Sequence, residues 1–252
     1  MQILLIGYGA MGSALLKGWE PFYDLTVIDP FKEGCTQSLE ALLPTYTPDV
    51  IVIAVKPQML AEVMPAYVKF NHALFISIAA GVKSERYLTW LGTKARISRV
   101  MPNLPVLVAK GASAYVLNEN CTATDDKIVK DLFEKVGLVE KLSHENLFDA
   151  VTALSGSGPA YVYYLCECLE QAAVELGLDQ QFSQRFARQT IIGAAATLKE
   201  LATPPAELRA NVTSKGGTTE AALGVLMQEN QLQTLFSTAL KAAHKRAQEL
   251  SI

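Results

Sequence analysis

A six-residue loop, Gly7-Tyr8-Gly9-Ala10-Met11-Gly12, constrains this chain more than any other feature. It follows an apolar run at residues 3–6 that reads as a strand, and it opens a helical stretch over residues 10–19. Between a strand and a helix, G-x-G-x-x-G has a specific physics. Gly7 permits the tight turn, Gly9 lets the backbone approach a pyrophosphate, and Gly12 lets helix and strand pack closely. The diphosphate then sits on unpaired N–H groups at the positive end of the helix dipole. Asp29 ends the second β-rich run, 22 positions after Gly7. A carboxylate there accepts hydrogen bonds from the adenosine ribose diol and repels a 2′-phosphate, which leans toward NADH. Lys32 lies close enough to offer a phosphate a counter-charge, and Asp29 could equally serve a turn before Pro30, so NADPH and NADH both stay open.

The rest of the first half repeats the strand–helix alternation. Residues 3–6, 25–28, 50–55, 74–78, 96–100 and 113–117 read as strands, and several are unbroken apolar runs, as expected of parallel strands buried on both faces. Residues 125–136 read as a helix stopping at Gly137. The pattern predicts an α/β fold with an N-terminal Rossmann-like, doubly wound sheet. Ligands of such sheets bind beyond the carboxyl ends of the strands. That rule selects Ala54, Val55, Lys56, Pro57, Ile78, Ala79 and Ala80 as cofactor-lining positions, with Ser77 and Asn103 as nearby polar groups, Asn103 serving equally well in a turn before Pro105. After residue 143 the texture changes. Helical periodicity runs through 159–176, 183–201, 219–228 and 232–250, rich in alanine, so the predicted domains are a dinucleotide-binding domain over 1–143 and an all-α domain over 144–252.

Composition removes other classes. Half of the 252 residues are hydrophobic and 19% charged, enough to build a core rather than a disordered chain. A net charge of −3, with no basic stripe, argues against a nucleic-acid binder. The longest uncharged stretch, residues 150–166, is short of a membrane span and is interrupted by Gly156, Gly158 and Pro159. A strand beginning at residue 2 leaves no room for a signal peptide. The four cysteines form no C-x-x-C pair and the three histidines stand far apart, so no metal site is expected and a reducing, cytoplasmic setting is.

Two glycine clusters remain. Leu154-Ser155-Gly156-Ser157-Gly158-Pro159 is a tight crossing into a helix, open to two readings, a close-packed structural turn or a ligand contact. Ser214-Lys215-Gly216-Gly217-Thr218-Thr219 places hydroxyls and free N–H groups at a helix start, a cradle for a carboxylate or other anion. Here the chain resembles the pyrroline-5-carboxylate reductases. The likeness rests on the loop at residue 7, A-V-K-P at 54, S-I-A-A-G-V at 77, M-P-N-L-P at 101, A-L-S-G-S-G-P-A-Y at 153 and L-R-A-N-V-T-S-K-G-G-T-T-E-A-A-L at 208, in order over essentially the whole chain.

The resemblance implies a Rossmann domain followed by a helical dimerisation domain, giving a homodimer or a higher oligomer. It implies that the loop from Ser214 to Thr219, with Gly216, Gly217 and Thr218, holds the substrate carboxylate. Thr219 would bond the ring nitrogen as the catalytic residue, Glu145 would help shape the substrate site, Asn211 would approach the cofactor, and Ile6, Gly7, Tyr8, Gly9, Ala10 and Met11 would line it together with residues 54–57 and 78–80. The implied reaction is NAD(P)H-dependent reduction of 1-pyrroline-5-carboxylate to L-proline. Family members mostly favour NADPH and carry a small hydroxyl or basic residue where this chain has Asp29. Lys215 is an unattractive general acid, because the family often has proline at that position. Two alternatives stay open at this stage: a reductase of another cyclic imine carboxylate, and a non-catalytic dinucleotide sensor.

Overall fold

The computed structural model describes residues 1–251. Seven strands form one sheet in the order β2-β1-β3-β4-β5-β6-β7. They are β1 (Gln2–Ile6), β2 (Asp24–Ile28), β3 (Val50–Ile53), β4 (Leu74–Ser77), β5 (Arg96–Met101), β6 (Gly111–Leu117) and β7 (Gly137–Lys141). The helices follow as α1 (Ala10–Trp19), α2 (Leu60–Val63), α3 (Ser84–Leu91), α4 (Ala123–Glu134), α5 (Phe148–Val151), α6 (Gly158–Glu175), α7 (Gln180–Glu200), α8 (Pro205–Asn211), α9 (Thr218–Leu226) and α10 (Gln231–Leu250).

The first five strands pair in parallel, β6 runs antiparallel to β5, and β7 is parallel to β6. The sheet is thus parallel through β5, and its far edge is mixed. Continuous apolar runs let each strand feed two cores by alternation. Ile3, Leu5, Val50, Val52, Leu74 and Ile76 pack on one face with Trp19 of α1 and Leu132 and Phe133 of α4. Leu4, Ile6, Ile51, Ile53 and Phe75 pack on the other with Leu60, Tyr67, Tyr87 and Leu91. The Trp19 indole N–H donates to the Leu132 carbonyl at 2.8 Å, and its ring meets Phe133 edge-on, which ties α1 to α4. Helix α4 starts on a capping box. The Thr122 hydroxyl accepts from the Asp125 N–H, and the Asp125 carboxylate accepts from the Thr122 N–H.

The chain divides into two compact units, Met1–Pro159 together with the stretch from Ala243, and Ala160–Ala242. In the first, the strand order reverses at β1, so the crevice beyond the carboxyl ends of β1 and β3 is the topological switch point. The second is helical, and among its residues only Ser183 and Ala187 are buried.

Candidate active site

The switch-point crevice of the first unit is a cleft of about 800 Å³ lined by Ile6, Gly7, Tyr8, Gly9, Asp29, Ala54, Val55 and Lys56, among others. Its three glycines act differently. Gly7 has φ +97°, and a Cβ there would lie 2.8 Å from the Ala54 carbonyl oxygen. A Cβ on Gly12 would lie 2.4 Å from the Gly7 oxygen. A Cβ on Gly9 would meet no atom within 4 Å, so the missing side chain opens onto free space. Gly9 is also the N-cap of α1 and offers no side-chain cap. The first intrahelical bond runs from the Ser13 N–H to the Gly9 carbonyl, which leaves the N–H groups of Ala10, Met11 and Gly12 without intrahelical acceptors. An open backbone approach beside three such donors fits a dinucleotide diphosphate. Pro57 starts the short 3₁₀ turn after Lys56.

Asp29 closes the far end of the cleft. One carboxylate oxygen accepts from the Tyr8 N–H at 2.7 Å and the other from the Phe31 N–H at 2.9 Å. The aspartate is therefore bound to the glycine loop itself, a link that spacing alone does not reveal.

Beyond β4, Ile78, Ala79 and Ala80 lead into a loop held by a buried polar network. The Ser77 hydroxyl accepts from the Ala79 N–H at 3.2 Å and is hydrogen-bonded to the Tyr87 hydroxyl. Burial pushes the Tyr87 phenol up to about 12, so it stays protonated. The Ser84 N–H and hydroxyl both donate to Glu145 Oε1, at 2.8 and 2.9 Å, and Arg99 Nη1 donates to the same oxygen at 2.6 Å. The Arg99 guanidinium also lies over the Phe148 ring, 4.6 Å from its centroid. Burial pushes the Glu145 carboxyl up, but the bonds from Arg99 and Ser84 outweigh it and hold the group below the ordinary glutamate value. Glu145 thus joins the end of β5 to the β4–α3 loop. Sequence reasoning missed Arg99, Ser84 and Tyr87; the only signal was a charged residue between Ser98 and Val100 in the middle of a predicted strand.

Gly81 in the same loop has φ +75°, and a Cβ there would lie 2.7 Å from the Leu250 carbonyl oxygen. The end of α10 is seated against it, and the Ser251 hydroxyl reaches Asp149 at 3.3 Å.

Asn103, which the sequence offers either to the cofactor or to a turn before Pro105, is buried and ties the turn at residues 152–156 to β6: its amide donates to the Ser155 carbonyl at 2.9 Å and its side-chain oxygen accepts from the Ala112 N–H at 2.7 Å. The segment before Gly158, read either as a close-packed turn or as a ligand contact, is a π-helical turn over Thr152–Gly156 closed by the Ser157 N–H on the Thr152 carbonyl. A Cβ on Gly156 would make only ordinary contacts and one on Gly158 none, so packing within the chain does not explain these glycines.

In the second unit, Asn211 ends α8 and the Ser214–Thr219 loop leads into α9. Two of its backbone donors are engaged. The Gly217 N–H bonds the Ser214 carbonyl at 3.0 Å, and the Gly216 N–H bonds the Glu220 carboxylate at 2.7 Å. The N-cap, Gly217, has no side chain, and the first intrahelical bond is from the Ala221 N–H to the Gly217 carbonyl. The N–H groups of Thr218, Thr219 and Glu220 are thus left without intrahelical acceptors, and with the hydroxyls of Ser214, Thr218 and Thr219 they make a donor set that suits an anion. Glu220 already holds the Gly216 N–H as a carboxylate would.

Residues 145–250 match the family described as pyrroline-5-carboxylate reductase dimerisation. A pyrroline-5-carboxylate reductase of Pseudomonas aeruginosa is 40% identical over 99% of this chain and 97% of its own length, and one of Pasteurella multocida is 38% identical over the same shares. Among solved structures, a pyrroline-5-carboxylate reductase from Coxiella burnetii superposes with a TM-score of 0.90 at 36% identity, covering 99% of this chain and 98% of that one. A pyrroline carboxylate reductase from Plasmodium falciparum, solved with NADP bound, gives 0.85 at 31%, covering 100% and 98%. Identity of this level over nearly the whole chain, on top of the glycine cradle and the Ser214–Thr219 helix start, means that the chain belongs to the pyrroline-5-carboxylate reductase family.

Proposed function

We propose that this protein reduces 1-pyrroline-5-carboxylate to L-proline with NAD(P)H, as a homodimer acting in the cytoplasm. The observation that carries the reaction is the 40% identity to a pyrroline-5-carboxylate reductase across essentially the whole chain. Residues 1–143 bind the dinucleotide and residues 144–252 serve substrate binding and dimerisation. The dimer is supported by the family match over 145–250 and by a helical unit almost without a core of its own. The cytoplasmic setting is supported by four cysteines that are all free thiols. Among the described residues no helix is long and apolar enough to cross a membrane.

When bound, the dihydronicotinamide supplies a hydride to the C=N carbon. The protein's share is orientation and charge placement. Gly7, Gly9 and the first N–H groups of α1 hold the diphosphate, while Ala54–Pro57 and Ile78–Ala80 line the dinucleotide through small or backbone groups. Glu145 acts by fixing the loop that carries Ala79 and Ala80. Ser214, Thr218 and Thr219 bind the substrate carboxylate, and the Thr219 hydroxyl orients the ring nitrogen. A threonine hydroxyl is a poor acid, so the proton on that nitrogen comes from the already protonated imine or from water. The test is to mix the protein with pyrroline-5-carboxylate and NADH or NADPH and follow the nicotinamide absorbance. Oxidation with at least one dinucleotide is expected; none with either sinks the reading.

A further inference from the structure

We infer that Asp29, held in place by the glycine loop, makes this chain select NADH over NADPH; the inference rests on the dinucleotide reading above. Three observations meet at this residue. First, the carboxylate is fixed: Tyr8 and Phe31 each donate a backbone N–H to one of its oxygens. Its backbone is fixed as well, because the Asp29 N–H bonds the Thr36 carbonyl at 3.1 Å and the Thr36 N–H bonds the Val27 carbonyl at 2.9 Å. Swinging the side chain away would strip the acceptor from a donor of the glycine loop, so the charge cannot be moved aside to admit a phosphate.

Second, the remaining capacity suits a diol. Each carboxylate oxygen has a second lone pair free after its N–H bond. A ribose with two hydroxyls brings two donors to them. A 2′-phosphate removes one donor and brings a charge of about −1.5 to −2. Like charges in contact disfavour each other, so the same group that accepts the diol excludes the phosphate.

Third, no arginine and no anchored cation faces it to offset that repulsion. The cleft is lined by the carboxylates of Asp29, Glu40 and Glu62 against the amines of Lys32 and Lys56, with no arginine among the lining residues. Lys32 is exposed, and its neighbours bond its backbone carbonyl, not its amine. A lone hydrated ammonium lacks the forked geometry that grips a phosphate.

The test is titration of NADH and of NADPH by nicotinamide fluorescence on the wild-type chain and on Asp29→Asn, with kcat/KM for each dinucleotide measured alongside. Asp29→Asn keeps an oxygen acceptor and removes the charge. The wild type should bind NADH at least about tenfold more tightly than NADPH. Asp29→Asn should bring the two within about threefold, with NADPH affinity rising in absolute terms. Wild-type affinity for NADPH equal to or above that for NADH overturns the inference, whether or not the variant folds. An unchanged preference in a folded Asp29→Asn overturns the assignment to this residue. Binding of neither dinucleotide refutes the cofactor reading beneath it, a result distinct from binding with the opposite preference.

Discussion

Glu145 carries three hydrogen bonds on one oxygen and is the only ion-pair partner that Arg99 has among the described residues. Its depressed folded-state pKa fixes a sign. The unfolded chain takes up the proton first as pH falls below the ordinary value of 4.5, so this contribution is complete above that value. It shrinks as pH drops through the folded value. Urea midpoints between pH 3 and 6 should therefore fall toward acid more steeply for the wild type than for Glu145→Gln; parallel curves would contradict this. At pH 7 the same variant should be about 1–3 kcal/mol less stable, because it leaves a buried guanidinium without its counter-charge. Thr219→Ala tests the chemistry: kcat/KM should fall more than about tenfold, or ~1.4 kcal/mol of transition-state stabilisation, and a drop under about threefold would remove Thr219 from the reaction.

At the scale of elements, legibility followed burial. Strands β1 to β6 were readable because their residues are apolar on both faces or alternate clearly, and α1 because it follows a glycine loop with one meaning in that context. Strand β7 was not readable: of Gly-Leu-Val-Glu-Lys only Val139 is buried, so an edge strand carrying charge outward shows no period. Helix α8 escaped for a similar reason, a short turn of helix with no buried residue. The glycine that opens β7 explains why the strand forms there. Gly137 has φ +148°, and a Cβ on it would lie 2.1 Å from the Gly111 oxygen of β6. Gly137→Ala should cost about 2 kcal/mol or more in denaturant unfolding; a change under about 0.5 kcal/mol would mean that β7 is not seated as described. The polar anchors were hidden because they are tertiary. Asn103 with Ser155, Arg99 with Glu145, and Asp29 with Tyr8 join residues from 21 to 52 positions apart, and no spacing rule connects them.

At the scale of the molecule, the decisive contrast lies between the two units. The first has a complete two-sided core. The second exposes Tyr164, Phe186, Ile192 and Leu235 at 53–67% and buries almost nothing. Its alanine-rich, apolar helices are those of an obligate interface. The protein should sediment as a dimer or a multiple of one, and Ile192→Glu should produce monomers with exposed apolar surface or insoluble chain; a stable, folded monomer of the wild type would refute the assembly. The Ser214–Thr219 loop, proposed above to bind substrate, belongs to this same unit, so activity should fall with dissociation. The reaction itself is tested most directly by its product. Purified protein is incubated with excess NADH or NADPH and 1-pyrroline-5-carboxylate, and L-proline is quantified by chiral separation against nicotinamide oxidised. One L-proline should form for each nicotinamide consumed. Absence of proline with both dinucleotides, or oxidation without it, would contradict the assignment.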